Sequence, residues 1–376
     1  MADIVRRHRA ALETEMHLTT AQRRVLSAIA LCRTAELGGH LDVCRSCGFE
    51  HPSYNSCRNR HCPKCQALAQ QKWIAARAER LLPVQHFHVV WTLPSELRSL
   101  VKYRPRELFD ALFSAASETL LELGRTRLGV ELAVTMVLHT WTRDLRFHPH
   151  VHSLVSAGGL AADHSRWISS STKYLFPVEV MGTLLCGKMM DALRQLHTAG
   201  LFRDFTPFKD PEAFDRWMAR LARKKWVVFA KKPFRRVEHV LEYLGRYTHR
   251  VAIANSRFID IRDDLVTFRT KDGKAVCLHP VEFLRRFVQH VLPDALHKIR
   301  HYGLYAGAHA STLRATHQLL ALSPATPREP SLPSVPMPEV PGLDLQHCPR
   351  CGQPLERHPI ACLRSRAPPT VQVPLP

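Results

Sequence analysis

Apolar residues recur at three-and-four spacing through the first 38 residues. VRRHRAALETEM (5–16) and TTAQRRVLSAIALCRT (19–34) predict two amphipathic helices, the second opened by a Thr-Thr pair. The periodicity lapses over residues 40–66 and resumes in ALAQQKWIAARAERLL, which predicts a helix over 67–82 ended by Pro83. From there a two-residue period takes over. PVQHFHVVWTLP (83–94) is aromatic and β-branched between prolines and predicts a strand; ELAVTMVLHTW (131–141) predicts another. TRDLR (142–146) has turn composition and leads into a third strand, HPHVHSLVSAGG (148–159), so the pair forms a hairpin.

Helical patterns fill 96–124, 178–199, 211–222 and VEHVLEYLGRYTHR (237–250), and KKWVVFAKK (224–232) predicts a further strand. Residues 256–279 predict strands around an Asp272-Gly273 turn, and FLRRFVQHVLPDALHKIRHYG (283–303) returns to a helical pattern. SPATPREPSLPSVPMPEVP (323–341) has linker composition. Helices and strands, two of the strands in a hairpin, make the expected fold class α+β, preceded by a small cysteine-rich unit with helices of its own. The expected domains are 1–82, 83–310 and a linker and cysteine-containing tail at 311–376.

Charge narrows the partner. The chain carries 53 Lys and Arg against 33 Asp and Glu, a net +20. A surplus of that size favours a polyanion, of which nucleic acid is the commonest. No apolar run has the ~18 residues a spanning helix needs, and the start lacks an apolar signal core, so a cytoplasmic protein acting at the nucleoid, without a membrane partner, is expected.

The cysteines cluster. CRSC (Cys44, Cys47) and CPKC (Cys62, Cys65) are two C-x2-C knuckles separated by 14 residues, the spacing of a tetrahedral four-thiolate zinc site. Four thiolates leave no open position, so the Zn2+ is expected to be structural. Cys57 and His61 lie between the knuckles and are competing ligands, or join Cys32 and His40 in a second site. Arg58 and Arg60 in the same loop suit a DNA-contacting knuckle. Further along, Cys348, Cys351, His358 and Cys362 fit either another knuckle or a disordered tail with incidental cysteines.

In the third strand, His150 and His152 are two apart and share a face, with Val151 on the other. If the hairpin turn centres on Asp144 and Leu145, paired positions sum to 289 and His139 stands opposite His150. His139 is therefore the expected third imidazole; His148, Asp144 and a residue from a distant helix compete with it. A chain with 23 histidines also contains incidental pairs, and His86 and His88 in HFH are taken as one.

Tyr243 and Tyr247 are four apart, on one helical face, among Arg246, His249 and Arg250. Just upstream, RLARKKWVVFAKKPFRR (220–236) places Lys224, Lys225, Lys231 and Lys232 among Trp226, Phe229 and Phe234. Cations along a phosphate backbone with rings to stack bases make a single-strand channel.

These motifs resemble a known family. HPHVHSLVSAGG resembles the HUH (His, hydrophobic, His) motif, YLGRYTHRVAIANSRF its two-tyrosine motif, YNSCRNRHCPKCQ its zinc-binding module, and KIRHYG has a close counterpart as well. The family is the rolling-circle, single-strand transposases of bacterial insertion sequences, the insertion-sequence-91 type, and the resemblance runs from about residue 20 to 310. It implies an HUH fold, an antiparallel sheet flanked by helices, and Mg2+ or Mn2+ at His150 and His152. It implies Tyr243 and Tyr247 as paired nucleophiles, zinc at Cys44, Cys47, Cys62 and Cys65, and single-stranded DNA at element ends and target as substrate. Where the family often has Asn, this chain has Asp144. The competing expectations are a non-catalytic zinc-dependent DNA-binding regulator, such as a decayed transposase, and a metal nuclease using water.

Overall fold

The computed structural model describes residues 1–171, 174–210, 212–234, 251–270, 272–322 and 346–363, with backbone alone at 67, 68 and 232–234. Its first two helices are α1 (Ala2–Glu15) and α2 (Thr20–Leu31). Thr19 and Gln22 form a reciprocal capping box at the start of α2, which satisfies two of the orphan amides of the first turn. After them come β1 (Gly39–Val43), β2 (Glu50–Tyr54) and α3 (Gln66–Ala78). The third helix stops short of the expected 82. Leu81 and Leu82 turn inward instead, and the Leu82 amide donates to the Tyr305 hydroxyl at 3.0 Å.

The central layer is a six-stranded sheet. Its strands are β3 (His86–Thr92), β4 (Val130–Trp141), β5 (Phe147–Ala161), β6 (Trp167–Ser169), β7 (Val228–Phe234) and β11 (Ile299–Gly303). The order is β11-β4-β5-β3-β7, with β6 paired to the end of β5. Every pairing is antiparallel. Between β3 and β4 run α4 (Arg98–Tyr103) and α5 (Pro105–Leu123). The helical pattern over 96–124 is broken there because Pro105 supplies no amide and opens a new helix at its first turn. Two helices follow β6: α6 (Val178–Thr198) and α7 (Ala213–Ala222).

Alternation along the strands gives the sheet two different faces. One carries Phe87, Val89, Trp91, Val134, Met136, Leu138, Val151 and Val155, buried against α5 and α6 in the largest core. Trp91 closes that face by donating its indole N–H to Ser153 Oγ at 2.8 Å. Each fully buried Leu, Val or Phe there contributes roughly 1.5–3 kcal/mol of transfer free energy. The opposite face is apolar only at one end, where Ala133, Val137, Leu154 and Tyr305 pack with α9 (Ala310–Leu322). The remainder of that face carries histidines.

Between the sheet strands in the chain lies a second small sheet of β8 (Phe258–Ile261), β9 (Val266–Arg269) and β10 (Ala275–Leu278), followed by α8 (Pro280–Val288). Gly273 takes φ +85° at the expected Asp-Gly turn. The core around α8 also contains Ile4, Val5, Leu12, Leu26 and Ile29 of α1 and α2.

The helix expected over 283–303 ends at Val288. Pro293 interrupts it, and KIRHYG enters the sheet as edge strand β11 beside β4. Gly303 shows why that motif ends in glycine: its φ is +56°, and a Cβ there would lie 1.9 Å from the Leu132 carbonyl oxygen. The helix expected over 237–250 lies outside the described residues. Strand β12 (Glu356–Ile360) pairs with β1 and completes a third sheet of order β12-β1-β2. Among the described residues no helix is long and apolar enough to cross a membrane.

A Gly303→Ala variant should lose about 1–3 kcal/mol from backbone strain alone, before the β4 contact is counted. Thermal denaturation checks this; an unchanged melting temperature would show that β11 does not approach β4 so closely.

Candidate functional site: a histidine cluster and two cysteine clusters

The β4–β5 register determines the first site. His139 pairs with His150 and Val137 with His152, the arrangement expected from a turn at Asp144 and Leu145. Leu145 takes φ +66° in that turn, and His290, just after α8, holds it: its Nε2 donates to the Leu145 carbonyl at 3.0 Å, and its Nδ1 lies 3.2 Å from Thr140 Oγ1. One nitrogen of each of His139, His150 and His152 then falls within 4.8 Å of the others.

The ring orientations are set from outside the trio. His150 Nδ1 is 2.7 Å from the His148 carbonyl, so it donates there and leaves Nε2 as the bare lone pair. His152 Nδ1 is 2.8 Å from His88 Nε2. If His152 is to offer Nε2 as a ligand, Nδ1 must carry the proton and donate to His88. Burial pushes the His150 pKa down to about 4 and likewise that of His88, with Lys231 and His150 adding to the shift at His88. Both rings are thus neutral at pH 7, the form that binds metal. Trp141 stacks on His139 at 4.6 Å between centroids and fixes its plane.

The competing ligands are occupied elsewhere. His148 lends its carbonyl to His150, and its ring meets Arg98 at 3.5 Å. Asp144 lies in the turn, bridged to Arg146 at 2.8 Å and close to Arg286. His88, read from sequence as part of an incidental HFH pair, is the residue that orients His152. Alternation along β3 was legible, but it is the register of β3 with β5 that puts His88 on the histidine face.

The cysteines depart from expectation. Cys44, Cys47, Cys62 and Cys65 do not surround one point. Cys62 and Cys65 meet Cys32 and Cys57, whereas Cys44 and Cys47 meet Cys348 and Cys351. In the first set, Cys32–Cys65 sulfurs are 3.3 Å apart, with Cys57–Cys65 and Cys32–Cys62 at 3.6 Å. A tetrahedron with Zn–S bonds of about 2.3 Å has edges of about 3.8 Å, so four thiolates at these spacings fit Zn2+. The knuckles part because the β1–β2 hairpin carries Cys44 and Cys47 away at its turn, while Cys32 ends α2 beside the start of α3.

Neither candidate histidine joins them. His61 accepts the Leu292 amide at 3.1 Å, and His40 lies 3.5 Å from Asp42. Arg60, expected to face DNA, turns inward: its guanidinium donates to the carbonyls of Leu296, Pro293 and Leu292. Arg58 is exposed on the same loop. Lys224, Lys225 and Lys231 are exposed, with Lys224 paired to Glu96 at 2.8 Å. Trp226 is a core residue at 4 % exposure, whereas Phe229 is 53 % exposed. Phe229 pairs with Val90, which pairs with His152, so it stands on the histidine face two strands away. Tyr243, Tyr247, Arg246 and Arg250 lie outside the described residues, as does the side chain of Lys232.

A helix-flanked antiparallel sheet bearing a histidine cluster stands beside cysteine clusters of zinc-site spacing in a chain of net +20, which fits a DNA-acting protein with a zinc-binding domain. Residues 4–93 match the transposase zinc-binding domain of insertion-sequence-91 type, and residues 133–312 match a family described as "Putative transposase". The chain is 40% identical over 369 residues to "Putative transposase y4qJ" of Sinorhizobium fredii, covering 94% of this chain and 93% of that protein. It is 28% identical over 307 residues to the transposase for insertion sequence element IS801 of Pseudomonas savastanoi pv. phaseolicola, covering 79% and 73% respectively. The chain belongs to the insertion-sequence-91 family of transposases. No solved structure matches it.

A His88→Ala substitution leaves the three ligands in place but removes the acceptor that fixes His152, and should weaken divalent-metal binding about 10- to 100-fold. Titration calorimetry with Mn2+ measures it; an unaltered affinity would mean His88 does not orient the ligand.

Stability should fall as the solution is acidified from pH 6.5. Burial holds His86, His290 and His301 at about 4 against an ordinary 6.5. Between those values the unfolded chain binds protons that the folded chain refuses, so folding weakens as pH falls; above 6.5 both states are neutral and the effect vanishes. At pH 5 each ring should cost on the order of 1–2 kcal/mol. A melting temperature that is flat between pH 7 and 5 would contradict the buried, neutral state of these rings.

Proposed function

We propose that this transposase nicks and rejoins single-stranded DNA at insertion-sequence ends through a phosphotyrosine intermediate, in a rolling-circle type of transposition. The observation that carries the reading is the trio His139, His150 and His152, whose ring nitrogens converge on the histidine-bearing face of the sheet. These three residues would hold a Mn2+ or Mg2+ ion, and an all-imidazole donor set suits Mn2+ better than Mg2+, which prefers oxygen. When bound, the ion supplies Lewis-acid polarisation of a phosphodiester and stabilisation of the charge that develops on it.

The protein's own residues do the remaining work. His148 and His88 hold the imidazoles in the ligating tautomer. Trp141 fixes His139. Phe229, exposed on the same face, offers a ring on which a base can stack, and Lys231 beside it offers charge to a backbone phosphate. Arg58, Lys224, Lys225, Lys232, Arg246 and Arg250 extend that role as candidate phosphate contacts.

Tyr243 and Tyr247 are the proposed nucleophiles. The phenol oxygen bonds to phosphorus and the bond from phosphorus to one sugar oxygen breaks. The phenolic proton is balanced by the one taken up by the departing sugar hydroxyl. The number of phosphoester bonds is unchanged, so the reverse reaction can rejoin the strand without an energy source. Two tyrosines would serve two cleavages. The described residues on either side of the tyrosine segment lie at opposite ends of the sheet. Phe234 ends β7 opposite His86, at one end of the sheet, whereas Arg257 bonds the Arg143 carbonyl in the hairpin turn at the other. The histidine cluster lies between these ends.

Incubation with labelled single-stranded DNA from an element end should give a metal-dependent covalent adduct on Tyr243 or Tyr247, located by peptide mass mapping and lost with EDTA. The Tyr243→Phe/Tyr247→Phe double variant should bind DNA but form no adduct and no nick. Normal nicking by that variant would eliminate the tyrosine mechanism and point to hydrolysis. Binding without cleavage by the unaltered chain, with metal present, would point to a regulator.

A further inference from the structure

The second cysteine cluster joins segments from opposite ends of the chain. Cys44 lies 3.4 Å from Cys351, a sequence separation of 307, and Cys47 lies 3.6 Å from Cys348, a separation of 301. Residues 348 and 351 fall beyond both matched family segments. We propose that Cys44, Cys47, Cys348 and Cys351 hold a second structural zinc ion, which ties the segment 346–363 to the N-terminal module.

The two halves are built alike. Each is C-x2-C-G: CRSCG at 44–48 and CPRCG at 348–352. In the first knuckle the Cys44 amide donates to the Phe49 carbonyl at 2.8 Å, and the Gly48 amide to the Cys44 carbonyl at 2.9 Å. In the second the Cys348 amide donates to the Gln353 carbonyl at 2.7 Å, and the Gly352 amide to the Cys348 carbonyl at 2.8 Å. Gly48 and Gly352 both take left-handed φ, +66° and +74°, so each loop turns back and aims two sulfurs at one point. Two such knuckles facing each other make the tetrahedral four-thiolate set of a structural zinc site, and the sulfur separations approach its edge of about 3.8 Å.

Independent contacts bring the halves together. All five residues of β12 pair with β1, from Val43 and Glu356 to Gly39 and Ile360. Gly39 is needed on the other side of β1, where a Cβ would meet the Ser53 carbonyl at 2.1 Å. Arg357 grips the buried Asp42 carboxylate with two donors, at 2.7 and 3.3 Å, and Arg45 meets Glu356 at 2.7 Å. A three-stranded sheet of short strands has little apolar core, and small units of this kind depend on a metal for stability. His358 and Cys362, the other ligands considered for this tail, are absent from the cluster: His358 contacts Glu356, and the Cys362 thiol contacts the Glu36 carbonyl.

The site is separate from the histidine cluster and does not depend on the strand-cleaving chemistry. The full-length chain, freed of loosely bound metal, should contain about two zinc ions, one for each four-cysteine cluster. The Cys348→Ser/Cys351→Ser variant should contain about one, as should the control Cys57→Ser/Cys62→Ser. Elemental analysis reads the stoichiometry.

Alkylation of the unaltered protein provides a second reading that needs no variant. Cys351 is exposed, as is Cys277. Cys277 should react with maleimide at once, whereas Cys351 should resist together with Cys44, Cys47 and Cys348 until a strong zinc chelator is added. One zinc per chain in the unaltered protein, or Cys351 labelling as fast as Cys277, would overturn the proposal. Zinc content unchanged by Cys348→Ser/Cys351→Ser would overturn it as well.

Discussion

The antiparallel register of β4 and β5 is the constraint on which the histidine-bearing half of this molecule depends. Side chains alternate along a strand, so a slip of one residue would carry His150 and His152 to the face packed on α5 and α6 and bring Val151 out. The register is held at both ends. Near the turn, His290 bonds Thr140 and Leu145; along the strands, one face is buried in a continuous apolar core. The same core that stabilises the fold therefore specifies which imidazoles meet, and the cluster needs no loop to assemble it.

Strand alternation and hairpin arithmetic made this part of the site legible from the sequence. Two histidines with an apolar residue between them, and a turn of evident composition, were sufficient to pair His139 with His150. His88 escaped notice because its partner is contributed by the pairing of β3 with β5, which no local pattern reports. KIRHYG escaped because its apolar spacing continues that of the preceding helix. Pro293 and the close approach of Gly303 to β4 decide it as a strand, and the latter is a tertiary fact. Trp226 and Phe229 were read together as stacking rings, yet they are three apart: Trp226 precedes β7 and is buried, while Phe229 within it is exposed.

The cysteines show a different limit. Spacing identifies a knuckle as a pair of ligands and is silent on which pairs combine. Cys44–Cys47 and Cys62–Cys65 have the separation of a single site, yet the chain supplies each with a nearer complement: Cys32 and Cys57 for one, Cys348 and Cys351 for the other. The repeated glycine after each pair that forms the second cluster was the available clue. It marks knuckles of one type, CRSCG and CPRCG, whereas CPKCQ passes directly into α3.

Charge links the histidine cluster to the rest of the protein. The chain carries a net +20, and among the described residues the cluster consists of three imidazoles. The nearby acidic candidate, Asp144, is held in the turn by Arg146 and Arg286. A divalent ion on three neutral ligands keeps its full charge in a positive surrounding, which opposes its retention by the protein alone. A DNA phosphate reverses that balance, since it supplies both negative charge and the oxygen donor that Mg2+ and Mn2+ favour. On the proposed reading, metal and DNA each raise the affinity for the other, by the reciprocity that any coupling free energy requires.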